Sequence, residues 1–202
     1  MKSNLNTRLN QILPKITSPS FLASQGIGNE IACYIFDYSA QHELEVREHL
    51  QVIDKHLAAQ HSQLMVVHLN LLEVVLAYLS RRGLLEKTLK LEESKGSAAT
   101  LKALSGPVSA EKLCDFIDRE YEPAKKDLIL ISGVGSAWPL VRAHSLLNGL
   151  HPVVDHTPLV LFYPGTFDGT TLRLFGEIAT ASKPGAKNYY RAFKLIPQGD
   201  IK

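Results

Sequence analysis

The segment LILISGVGSAWPLVRAH, Leu128 to His144, passes from a short apolar run through Gly-x-Gly-Ser into a helical pattern. An apolar run without polar alternation marks a strand covered on both faces. Followed at once by a turn and a helix, it implies one strand–helix unit of a parallel sheet. The same unit recurs upstream. IACYIFDY, Ile31 to Tyr38, precedes a helix on which Val46, Leu50, Ile53 and Leu57 recur at helical spacing. LMVVHL, Leu64 to Leu69, precedes NLLEVVLAYLSRRG, with Asn70 as cap and Gly83 as terminator.

Helices are also expected over residues 3–16, at about 84–93, and between Pro107 and Pro123. SKGSAATLKALSGP, from Ser94, reads as a flexible stretch. SAWPLVRAHSLLNGL reads as one helix with Pro139 in its first turn. TPLVLFYPG reads as a fourth strand ending in a Pro-Gly turn, and TTLRLFG and NYYRAFKLIP as two short alternating strands after it. The expectation is a single α/β domain over residues 1–202. It is a three-layer, mostly parallel sheet with helices on both faces and an antiparallel C-terminal extension.

The chain of 202 residues is 45% apolar and 21% charged, with net charge +2. No global basic field argues for nucleic acid. Residues 170–202 nevertheless carry six Lys/Arg against Glu177 and Asp200, which leaves −2 on the first 169 residues. Cys33 and Cys114 sit in apolar settings and read as buried thiols of a reducing compartment. The N-terminal stretch lacks the apolar core of a signal peptide. Leu64 to Leu79 is short and interrupted by His68, Asn70 and Glu73. A cytoplasmic protein without membrane contact is expected.

The glycine turn has two readings. Converging backbone N–H groups at a helix start can cradle phosphate, with Gly133, Gly135 and Ser136 around the ligand, Arg142 as clamp and Asp37 near a metal. A P-loop needs a lysine and a different glycine spacing. A dinucleotide fingerprint needs glycine where Trp138 stands. The alternative is a tight strand-to-helix turn with Ser136 as cap, and the missing residues favour it. Asp37, at the end of a strand, reads as a turn cap, or as a base or metal ligand.

His42, His49 and His56 fall seven apart, roughly 10 Å of helical rise, too far to share a metal, and read as an exposed stripe. There is no Gly-x-Ser-x-Gly elbow, and pairing His144 with Asp37 in a triad has no support from spacing. No metal, cofactor or catalytic group is expected. In the tail, Tyr163, Phe167, Asp168, Arg173, Tyr190 and Arg191 make an aromatic and basic segment suited to a protein partner, or to packing on the core.

IFDYSAQHELEVREHL, LILISGVGSAWPLVRAHSLLNGL and PLVLFYPGTFDGTTLRLFG with NYYRAFKL together resemble the BrxB family, a component of bacteriophage-exclusion (BREX) systems. The resemblance runs from about residue 3 to 197. It is strongest over Asp37–Arg47, Gly133–Leu147 and Tyr163–Phe175. It implies companions: a large BrxC-type ATPase, a DNA methyltransferase, the phosphatase-like PglZ, a small helical protein and often a Lon-like protein. Such systems methylate host DNA and block replication of unmodified phage. The resemblance implies a non-enzymatic scaffold or adaptor that binds PglZ first and the ATPase second, and meets nucleic acid only through the complex. Two other readings are a degenerate nucleotide-binding domain and a DNA-binding accessory subunit.

Overall fold

The computed structural model describes residues 2–23, 33–154, 156–176, 178–179 and 192–197, with side chains from Leu5 onward except at 178–179. The helices are α1 (Lys2–Ile16), α2 (Pro19–Leu22), α3 (Glu43–Gln60), α4 (Leu71–Arg81), α5 (Leu85–Leu104), α6 (Ala110–Tyr121), α7 (Val134–Ala137) and α8 (Ala143–Val154). The strands are β1 (Cys33–Tyr38), β2 (Val66–Asn70), β3 (Leu128–Ser132), β4 (Leu159–Phe167), β5 (Leu172–Leu174), β6 (Ile178–Ala179) and β7 (Ala192–Lys194). The sheet order is β2-β3-β4-β1-β7, and every pair along this path is parallel.

The order explains the layering. From β1 the chain crosses two strands to reach β2, then steps back through β3 to β4. Right-handed crossovers require the connecting helices to change face when the direction of travel reverses. Accordingly α3 packs with α1 on one face, over Phe36, Leu128, Leu130, Val160 and Phe162. The helices α4, α6 and α8 cover the other, over Ile35, Ile129, Ile131 and Leu161. Alternate residues of LILIS therefore enter different cores, which is why the run is apolar throughout.

Local signals hold the helix ends. Asn70 Oδ1 accepts the N–H groups of Leu72 and Glu73, and Ser109 Oγ accepts that of Lys112. The thiols of Cys33 and Cys114 are buried and free, and burial pushes both up to about 12, so neither is a ready nucleophile.

The structure departs from the sequence reading in four places. Ser94 onward is helical: α5 continues to Leu104 after a turn at Gly96, and Thr100 and Leu104 are buried. The helix expected from Ser136 is two helices. Trp138 takes the extended ψ of 140° that a residue before proline prefers, so α7 ends there and α8 starts at Ala143. β4 runs through Pro164-Gly165 to Phe167, and its far end pairs antiparallel with β5. A Cβ on Gly165 would lie 2.1 Å from the Arg173 carbonyl oxygen, so only glycine permits that pairing. Finally, the tail divides. β5 pairs antiparallel with β4 and β6 with β5, whereas β7 lies parallel beside β1.

Candidate functional site at the strand ends

The glycine turn is packed from both sides by the chain itself. Gly133 has φ +72°, the left-handed region, and caps α7 in place of the expected Ser136, which is exposed. A Cβ on Gly133 would lie 2.4 Å from Asn70 Oδ1, the atom that caps α4. A Cβ on Gly135 would meet the Phe175 ring at 3.1 Å and Pro164 at 3.2 Å. The Cβ directions of the two glycines are thus filled, by Asn70 at Gly133 and by Phe175 and Pro164 at Gly135. Arg142 is exposed just before α8.

Asp37 does not cap a turn; its carboxylate is bonded to other elements of the fold. It is 1% exposed. Its Oδ1 accepts from Arg8 at 3.0 Å, and its Oδ2 accepts from the Phe167 N–H at 3.2 Å and pairs with Lys194 at 3.4 Å. The carboxylate ties α1, β1, the end of β4 and β7 together. Arg8 also donates to the Ile196 carbonyl and lies 4.5 Å over the Phe36 ring. Its burial lowers the guanidinium's affinity for its proton, while Asp37 opposes that shift.

Among the tail residues expected to bind a partner, Tyr163 is fully buried and Phe167 is 3% exposed, so both belong to the core. Tyr190 and Arg191 lie outside the described residues. Arg173 is exposed. Asp168 is spent on its own turn: Oδ1 accepts from the N–H groups of Thr170 and Thr171 and from the Thr170 hydroxyl. These bonds hold its carboxyl down at about 2, against 3.8 ordinarily. The depressed group favours the folded turn above pH 3.8, and that contribution disappears as pH falls through 2. Amide exchange at Thr170 and Thr171 is expected to accelerate over that window, and Asp168→Asn to abolish the dependence.

What the turn carries instead is an aromatic surface. The rings of Trp138 and Phe175 meet edge-on at 6.1 Å. They are 38% and 41% exposed, and Phe175 takes a left-handed φ of +57°, with its N–H donating to the Pro164 carbonyl at 2.9 Å. Arg142 follows Trp138 by four residues and Arg173 precedes Phe175 by two, both exposed. The sequence reading had Trp138 only as the residue that spoils a dinucleotide fingerprint. The pairing joins residues 37 apart in the chain, so no spacing announces it.

On the α3 side of the same strand ends lies a pocket of about 320 Å³. Its lining includes Tyr38, Val46, Arg47, Leu50, Asp54, His68, Asn70, Ser132 and Gly133. His68 bonds Asp54 through Nδ1 at 2.7 Å and Ser132 through Nε2 at 2.8 Å. The Tyr38 hydroxyl donates to Glu43 at 2.6 Å, and burial, followed by this contact, raises its pKa. His49 is not part of an exposed stripe: its Nε2 bonds the Leu9 carbonyl at 2.9 Å, and burial lowers its pKa. Among the described residues no group of His, Cys, Asp and Glu is placed to hold a metal, and no helix is long and apolar enough to cross a membrane.

The fold and this surface define a class: a small three-layer α/β protein that presents aromatic and basic side chains at its strand ends. The profile of the BrxB family, described as BREX protein BrxB, matches residues 67–195. A BREX protein BrxB from Escherichia coli O9:H4 (strain HS) is 41% identical over 193 residues, 96% of this chain and 92% of its own length. Another from Bacillus cereus (strain H3081.97) is 43% identical over 196 residues, 95% of this chain and 97% of its own. No solved structure gives a significant match. The chain belongs to the BrxB family.

Proposed function

We propose that the chain is an adaptor subunit of a BREX anti-phage assembly. Its first partner is PglZ and its second the BrxC-type ATPase, and nucleic acid is reached only through them. Family membership supports the system. The observation that carries the adaptor reading is the exposed Trp138–Phe175 pair with Arg142 and Arg173 close in sequence. Tryptophan and arginine are the side chains enriched where binding energy concentrates, and a buried aromatic pair would be the cheaper arrangement for folding alone. The Gly133–Gly135 turn serves this surface by seating Phe175 against Gly135 and Pro164. The test is co-purification of the full chain with each co-encoded component at moderate salt. A stable complex with PglZ or the ATPase is expected; recovery of neither would overturn the reading.

A further inference from the structure

We propose that Asp54, His68 and Ser132 form a nucleophile relay that cleaves small carboxylic esters in the pocket beneath α3, an activity separate from the adaptor surface. Three elements bring the residues together. Ser132 ends β3, directly opposite Asn70 at the end of β2, and His68 lies two residues before Asn70, so all three share one face of the sheet. α3 crosses that face and sets Asp54 over His68.

The hydrogen bonds fix the direction of the relay. A carboxylate only accepts, so His68 donates its Nδ1–H to Asp54 at 2.7 Å. In the tautomer with the proton on Nδ1, Nε2 is the acceptor, and the Ser132 hydroxyl 2.8 Å away donates to it. That is the orientation in which histidine acts as general base towards serine. Ser132 is 8% exposed, and its small opening is into the pocket. Asn70 lines the same pocket while its Oδ1 caps α4, and its side-chain amide is the proposed donor to the developing oxyanion. Val46 and Leu50 offer an apolar wall for a short acyl chain.

The reaction closes without a cofactor. Ser132 Oγ bonds to the ester carbonyl carbon as its proton passes to His68 Nε2, and the carbonyl π pair moves to oxygen beside Asn70. Collapse breaks the bond to the alcohol oxygen, which leaves with the proton from His68. Water, deprotonated by the same nitrogen, then attacks the acyl-serine and releases the carboxylic acid, restoring Ser132. Ester and water give acid and alcohol. Ser132 and His68 are the catalytic residues, and Asp54, with 41% of its side chain exposed, is a positioning residue that fixes the tautomer.

The test uses the purified full chain, a fluorophosphonate probe and p-nitrophenyl butyrate. A covalent adduct mapped to Ser132 is expected, together with ester turnover that the adduct abolishes. Ser132→Ala should remove both. His68→Gln, which keeps hydrogen-bonding shape but supplies no base, should slow labelling by about 10³-fold. Asp54→Asn should slow turnover by about 10²–10⁴-fold and displace the pH–rate profile, which a purely structural carboxylate would not do. Melting curves show which variants fold, and the wild-type adduct decides the matter if a variant does not. Absence of a Ser132 adduct in the folded wild type, or equal labelling of a folded His68→Gln variant, would overturn the proposal.

Discussion

Asp37→Asn is expected to lose about 3–5 kcal/mol of stability, because it leaves Arg8 buried without its counter-charge. For a chain of this size that is a fall in melting temperature of roughly 10 °C or more. The argument rests on burial: the Arg8 and Asp37 side chains are 7% and 2% exposed, so water cannot replace the lost partner. The bond also fastens α1 to β1 and, through Phe167 and Lys194, to both elements flanking the end of that strand. Arg8→Met alone should be similarly damaging, since it strands the carboxylate. Arg8→Met with Asp37→Asn should cost less than the two singles together, with a coupling of roughly 1–3 kcal/mol. Urea denaturation of the four proteins measures this. Additive losses would mean that the two charges do not depend on each other.

Gly133→Ala is the second large effect. The left-handed backbone costs an L-residue about 1–2 kcal/mol. The new methyl would also stand 2.4 Å from Asn70 Oδ1 and 3.2 Å from the Leu71 nitrogen. Relieving that overlap costs about 1–3 kcal/mol and unseats the α4 cap. A total near 3–4 kcal/mol is expected by chemical denaturation. Gly135→Ala should cost less, because its added carbon meets only the ends of two side chains at 3.1 Å and 3.2 Å. The contrast identifies the two glycines as packing residues, one against backbone and a cap, the other beneath a ring.

What could be read beforehand was local. LILIS announced a doubly covered strand, Asn70 announced a cap, and Val46, Leu50, Ile53 and Leu57 announced the buried face of α3. The pre-proline extension at Trp138 was equally local and was outweighed by the helical pattern on either side of it. The rest depends on residues far apart in the chain. Arg8 and Asp37 are 29 residues apart, and His68 and Ser132 are 64 apart. A polar group at the end of a strand reads as a cap or a ligand until the neighbouring elements are placed, and Asp37 turns out to be a tie between them. The direction of β7 was also beyond local reading, because alternation over a strand this short is the same for parallel and antiparallel pairing. For Tyr163 and Phe167 the core packing, one of the two readings open from the sequence, is what β4 produces, and its continuation past Pro164-Gly165 is what carries Phe167 inward.

The most direct measurement of the central claim is the affinity of the purified chain for PglZ, by calorimetry, before and after Trp138→Ala with Phe175→Ala. Each ring is expected to act as a hot spot worth about 2 kcal/mol or more, so each single variant should bind about 30-fold more weakly and the double variant roughly several hundred-fold more weakly. Leu44→Ala, which truncates a side chain 68% exposed on α3, should bind as the wild type does. A folded double variant that keeps full affinity would contradict the account.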